Sequence, residues 1–338
     1  MAMPNNNQST SKYPELAEAL KETKRYFIYA GIFSAAVNLL QLVPVIYMLQ
    51  VYDRVMSSGS LSTLSMLTLL LVALLCAMGG FEWVRTMILI SASNKIETSL
   101  RKRVSDASFK RALLGGGGSA QGVNDLTALR QFLTGNGLFA FFDAPWFPIY
   151  VGIMFMFHPW FGVSAIFAGA VMVAFAYANE MATSKKLQQA NNLSGRVSAQ
   201  LNGTLRNAEV IAAMGMADSI RQRQEKSSDE VLQLQTHASR LAGIIANSSK
   251  TFRMIMQSLL LGLGAFLALR QEISPGMVIA GSLLLGRALA PIDMLVATWK
   301  GFAVARAQYD RLGQLLTNIP GDSDTMSLPA PTGVITTE

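Results

Sequence analysis

Six apolar stretches, each about as long as a bilayer-spanning helix, punctuate this 338-residue sequence. They cover about 27–51, 61–90, 138–157, 160–178, 251–269 and 276–296. A spanning helix needs about 20 mostly apolar residues, and each stretch is long enough to meet that length. The remainder does not restore a soluble composition. Hydrophobic residues make up 51% of the chain and charged residues 14%, against roughly 25% charged in an average soluble domain. So few charges cannot clothe a soluble body of this size, which excludes an ordinary cytosolic enzyme. The same apolarity excludes disorder over most of the length. The expected fold class is an all-α membrane protein with six spans. The single cysteine, Cys76, excludes a disulfide framework and a Cys-based zinc site. With only His158 and His237, a multi-histidine metal centre is not expected.

The connections alternate in length. Spans one and two, three and four, and five and six are joined by short turns. The other two connections, about 91–137 and 179–250, are too long for unstructured loops in a compact domain. They contain no proline and are rich in helix formers. They are therefore expected to be helices that continue out of the bilayer, the first ending at Gly115–Gly118. The first 26 residues are polar and no signal-peptide pattern precedes span one. Glu15–Arg25 is expected to form a helix lying on the membrane surface, because Leu16, Ala17 and Leu20 share a face. Residues 1–11 are expected to be disordered.

Basic residues set the orientation. Four Lys or Arg precede span one, seven lie in the first long connection, nine in the second and three after span six. Only Arg54 and Arg270 fall on the opposite side. Both termini and both long connections are thus expected in the cytoplasm. This distribution accounts for the net charge of +7 without nucleic acid. A nucleic-acid surface would interleave aromatics with a basic stripe, and these connections contain almost none.

Two stretches match the coupling regions of one family. They are Gly122-Val-Asn-Asp-Leu-Thr-Ala-Leu-Arg-Gln-Phe-Leu-Thr-Gly135 and Thr204-Leu-Arg-Asn-Ala-Glu-Val-Ile-Ala-Ala-Met-Gly-Met216. With Phe142-Asp-Ala-Pro-Trp-Phe-Pro-Ile-Tyr150 at the start of span three, the chain resembles the type I secretion permease/ATPases. These are ABC exporters, and the matching branch exports metalloproteases, lipases and haem-binding proteins from Gram-negative bacteria. The resemblance covers about residues 15–338. It implies the six-helix exporter transmembrane domain over 27–318, with the arm tips near 121–128 and 206–213. Asn124, Asp125, Arg206 and Glu209 then belong to the coupling regions, and Asp143, Pro145, Trp146 and Pro148 to the motif of span three. It also implies a homodimer in the inner membrane, a periplasmic membrane-fusion adaptor, an outer-membrane channel and a secreted substrate with a C-terminal signal. Bacteriocin exporters of the same family carry an N-terminal cysteine peptidase. The only cysteine here lies in span two, so that branch is not expected.

ATP and magnesium would bind a nucleotide-binding domain following span six. No Gly-x-x-x-x-Gly-Lys-Ser/Thr loop occurs in the sequence, so no catalytic residue is assigned within it. Residues 319–338 read as a polar linker, and Gly333–Glu338 as the first strand of such a domain.

The polar residues inside the spans are the candidates for a conduit. Pro145 and Pro148 cannot donate backbone hydrogen bonds, so span three is expected to kink near Asp143. An intramembrane carboxylate there has either a functional role or a place at the headgroup level among water. Glu82 and Arg85 are three apart and could pair; for these two, inter-helix ion pairing that sets packing is the reading weighed against a conduit wall. Arg287 and Asp293 are six apart and need other partners. Gly276, Gly281 and Gly286 thin span six for close packing or bending. Two other readings remain open on sequence alone: an ABC exporter of lipids or drugs, and a membrane scaffold or channel without an ATPase.

Overall fold

A computed structural model describes residues 13–114 and 120–321. The expectations for residues 1–11, for Gly115–Gly118 and for Gly333–Glu338 lie outside these residues. All regular structure among the described residues is helical. In chain order the elements are α1 (Pro14–Glu22), α2 (Lys24–Leu40), α3 (Val43–Gln50), α4 (Leu61–Leu113), α5 (Gln121–Thr134), α6 (Asn136–Asp143), α7 (Phe147–Phe157), α8 (Pro159–Arg206), α9 (Ala208–Ala213), α10 (Ala217–Leu269) and α11 (Pro275–Asn318).

Six helices or helix chains are long and apolar enough to cross a membrane. Span one is α2 and α3, prolonged by a π-helical turn at Val51–Val55 and a last turn to Ser58. The step between α2 and α3 falls just before Pro44, whose ring nitrogen cannot continue the ladder. Span two and the first half of the first long connection are one helix, α4, of 53 residues, or about 80 Å at 1.5 Å per residue. The second long connection is shared by α8 and α10, of 48 and 53 residues. The long connections are therefore rods, with the short α9 at the tip of the second. We call this the arm end of the bundle and the opposite side the turn end.

Side chains start the helices at the turn end. The backbone N–H of Thr63 donates to Ser60 Oγ, that of Trp160 to His158 Nδ1 and that of Met277 to Ser274 Oγ. Each satisfies a donor that the first helical turn leaves orphaned. At the start of α11 an Asp53 carboxylate from span one accepts from Ser274 Oγ at 2.6 Å and from Gly276 N at 2.9 Å.

Two hydrophobic cores hold the bundle. The first joins span one (Val45), span three (Tyr150, Met154), span four (Phe161, Met172), span five (Leu260) and span six (Leu284, Leu285, Leu289). Span six is central: half of its most apolar eighteen residues are buried, whereas none of those in span two is. Span two is thus left at the periphery, where exposed Met66, Leu69 and Leu70 suit lipid contact. The second core lies at the arm end and joins α1, the far halves of α4 and α11, and α5.

That second core corrects the reading of the N-terminal helix as a membrane-surface element. Leu16 and Ala19 of α1 are buried against α4 and α11, and Tyr13 before it is buried too. The Tyr13 ring occupies the space that a side chain at Gly313 would need. Glu15 is bound by Arg103 of α4 at 3.0 and 3.1 Å. The amphipathic face is real, but it finds protein rather than lipid.

Span six is thinned by its glycines for close packing. A side chain at Gly276 would meet the Asp53 carboxylate at 2.6–2.8 Å, and one at Gly286 would meet Gln257 at 3.0 Å. A side chain at Gly281 would overlap the ring of fully buried Phe161. Gly281→Ala should therefore cost about 2 kcal/mol through overpacking, read as a lowered Tm of the detergent-solubilised protein. Gly262→Ala, where nothing lies within 4 Å of the added carbon, should not lower Tm. Equal Tm values for the two variants would refute this account of span six.

Candidate functional site

The motif of span three makes the break that its prolines require. α6 ends at Asp143, a 3-10 turn covers Ala144–Trp146, and α7 resumes at Phe147. Pro148 cannot donate to Ala144, and the N–H of Phe147 takes that carbonyl instead. Pro145 and Pro148 are exposed, while Trp146 packs against the first core.

This break presents Asp143 to spans one and two. Its Oδ1 accepts from Arg85 Nη1 at 3.1 Å and from Asn38 Nδ2 at 2.8 Å. Arg85 Nη1 also donates to Ser34 Oγ at 2.9 Å. The guanidinium lies over the Phe139 ring, 4.3 Å from its centroid. Tyr150 of α7 donates to the Asn38 carbonyl and side-chain oxygen, both at 3.0 Å. Ser34 and Asn38 are 1% exposed and Arg85 7%. A charge in this setting is costly unless it is paired. Here the pair is net neutral, and five side chains from three spans share the hydrogen bonds. Within this junction Arg85 Nε is buried without a hydrogen-bond partner. Chemically, the junction can fix the register of span three against spans one and two, and it offers no nucleophile and base pairing. Among the described residues no cluster suited to a metal ion occurs.

The Glu82–Arg85 pairing that their spacing allows is not made, and Arg85 pairs between helices instead. Arg85 points to Asp143, and Glu82 is half-exposed and forms no ion pair among the described residues. Their shared helix face was visible in the sequence, but the neighbouring span was not. Asp293 finds its partners on span five, where Ser249 Oγ donates at 3.1 Å and Arg253 Nε at 3.2 Å. Arg287 stays on the exposed surface of span six without an ion pair among the described residues. Sequence reasoning missed Ser34, Asn38, Tyr150, Ser249 and Arg253. The spacing of Ser34 and Asn38, four apart in an apolar run, was a usable signal, because such residues share a helix face.

At the arm end, Asp125 is not at a free tip. It is buried and accepts from Arg311 of α11 at 2.7 and 2.9 Å. The hydrogen bonds to Asp125 hold the Arg311 guanidinium above its ordinary pKa. α5 runs back along α4 and α11 rather than forming a tip, and Gly122 lets it approach within contact of Leu315 and Ser108. Asn124 is exposed in a cleft with Asn191, Ser198 and Asn202. In the second connection Arg206 ends α8, and Glu209 lies exposed on α9. Leu205, Val210, Met214 and Met216 are exposed there.

Comparison with known proteins agrees with this architecture. Residues 27–291 match the ABC transporter transmembrane region. The type I secretion system ATP-binding protein PrsD of Rhizobium meliloti is 36% identical over 98% of this chain and 57% of its own length. The exotoxin translocation ATP-binding protein PaxB of Pasteurella aerogenes is 22% identical over 94% of this chain and 46% of its own. The alpha-hemolysin translocation ATP-binding protein HlyB of Escherichia coli gives the same figures. The chain spans about half the length of the curated relatives it matches. With six apolar rods, long helical arms and a match over most of its length, this multi-pass membrane protein belongs to the ABC transporter transmembrane-region family.

Proposed function

We propose that this chain is the membrane-spanning part of a type I secretion ABC transporter, moving an unfolded protein across the inner membrane of a Gram-negative bacterium. The observation that carries the reading is the exposed apolar tip of the second arm, Leu205, Val210, Met214 and Met216, at the end of helices that leave the bilayer by tens of ångströms. An exposed apolar cluster of this kind marks a contact surface. A nucleotide-binding domain is the fitting partner, with both arms and both termini in the cytoplasm. ATP and magnesium would supply the driving force from that domain. No Gly-x-x-x-x-Gly-Lys-Ser/Thr loop occurs from 1 to 338, and the role proposed for this chain is transmission and passage.

Six spans form half of such a pathway, and a twofold homodimer completes it. Arg287, exposed on span six without an ion pair among the described residues, is assigned to the conduit wall. The names of the relatives, which concern secretion and toxin translocation, support a protein cargo. A metalloprotease, lipase or haem-binding protein with a C-terminal signal is the cargo class proposed here. A periplasmic adaptor and an outer-membrane channel continue the route.

The test is secretion in the native host. Removing this chain should abolish appearance of the cargo in the medium, and removing the adaptor should do the same while the chain still reaches the membrane. Transport that persists without any adaptor would instead support a lipid or drug exporter. Transport that persists with ATP depleted would support a channel.

A further inference from the structure

The second core is not filled. A cavity of about 340 Å³ opens among Leu16 and Leu20 of α1, Leu100 of α4, Leu129 and Phe132 of α5, and Phe302 of α11. Two polar groups, Arg306 and Tyr309, also line it. They are three apart on α11 and so share a face. Arg306 is exposed and has no ion pair among the described residues, and the Tyr309 hydroxyl makes no hydrogen bond among them. The nearby carboxylates of Glu97 and Glu15 are taken by Arg101, Arg130 and Arg103. Glu180 and Asp310 line the neighbouring cleft between α8 and α11, on which Arg306 also borders. Burial, reinforced by the charge of Asp310, keeps the Tyr309 phenol above its ordinary pKa and hence a proton donor.

An apolar cavity of a few hundred Å³ with a small number of placed polar groups is the usual form of a small-molecule site. Its depth narrows the ligand. Phe302 and Tyr309 lie six and thirteen residues beyond Val296, the last residue of the sixth apolar stretch, or about 9 and 20 Å along the helix. The headgroup layer occupies roughly 5–7 Å on each side of the hydrocarbon. A bilayer phospholipid with its head at the interface does not reach this cavity. A single-chain molecule that can leave the bilayer does.

We propose that this cavity binds a single-chain carboxylate amphiphile, its tail among Leu16, Leu100 and Phe132 and its carboxylate on Arg306 and Tyr309. The site lies outside the bilayer, between α1 and the arm-end parts of α4, α5 and α11, so occupancy would brace α1 against α4 and α11. This assignment is independent of what the transporter carries.

The experiment uses the whole chain in phosphatidylcholine nanodiscs and dodecanoate bearing a diazirine at its chain end, photolysed at pH 8. Adducts should map to the peptides containing Leu16, Leu20, Leu100 or Leu129. Labelling there should exceed that by the matching dodecanol probe about tenfold and be competed by plain dodecanoate. Arg306→Gln should lower the carboxylate probe to the alcohol level and leave the alcohol unchanged. Tyr309→Phe should lower it about threefold. Arg306 is exposed, so its replacement leaves the core packing intact, and Leu20→Trp, which fills the cavity from its half-exposed side, should block both probes. Equal labelling by acid and alcohol, indifference to Arg306→Gln, or adducts confined to lipid-facing positions such as Met66 and Leu69 would overturn the proposal. So would loss of labelling on adding phosphatidylglycerol, which would make a bilayer lipid the occupant.

Discussion

Asp143→Ala should be among the most damaging single substitutions in the bundle, removing about 3 kcal/mol of stability. The cost comes from what is left behind. Arg85 and Asp143 have side chains only 8% and 15% exposed. Removing one partner of a buried pair leaves an uncompensated charge, whose burial is the expensive part. Asn38 Nδ2 would lose its carboxylate partner as well. Arg85→Leu combined with Asp143→Leu should be less damaging than Asp143→Ala alone, because no isolated charge remains. Glu82→Gln, at a half-exposed residue without an ion pair among the described residues, should change stability by less than about 0.5 kcal/mol. Unfolding of the detergent-solubilised protein ranks the variants. If Asp143→Ala is no less stable than Glu82→Gln, the junction does not hold spans one, two and three together. On the function proposed above, the same variant in the intact transporter should lose secretion even where it reaches the membrane, since span three would be free to slip at its proline break.

The rods were legible because two strong one-dimensional signals set them. Apolar runs near twenty residues mark the spans, and proline-free helix formers between them mark the arms. α4, α8 and α10 each carry a span into an arm without interruption. The break at Pro145 and Pro148 was legible for the same local reason, a missing backbone donor. The step before Pro44 carried the same signal. What the sequence did not reveal was which helices are neighbours. Glu82 stood out as the partner of Arg85 because spacing along one helix is readable, whereas Asp143, 58 residues away, becomes its neighbour only through packing. α1 shows the same limit: Leu16 and Leu20 define an apolar face, but its partner, α11 beside Gly313, is some 300 residues downstream. Asp125 shows it again: its stretch resembles a coupling region in sequence, while the residue is committed to Arg311, 186 residues downstream.

That commitment separates two charge reversals that would look equivalent on the sequence. Asp125→Lys should cost about 3 kcal/mol, because it breaks the bidentate contact and sets a second cation against Arg311 in the arm-end core. Glu209→Lys, on the exposed α9, should leave stability within about 0.5 kcal/mol. The functional signatures should differ accordingly. On the proposed function the second substitution alters the proposed docking surface alone, so a well-folded intact transporter should hydrolyse ATP with reduced stimulation by cargo. The first loosens α5 from α11, so Tm falls before any coupling is measured. Arg311→Asp added to Asp125→Lys restores opposite charges across the same gap and should recover at least half of the lost stability, read from the same unfolding curves. If the double variant is no more stable than Asp125→Lys, the contact between α5 and α11 rests on Leu126, Leu129 and Leu315 rather than on the ion pair.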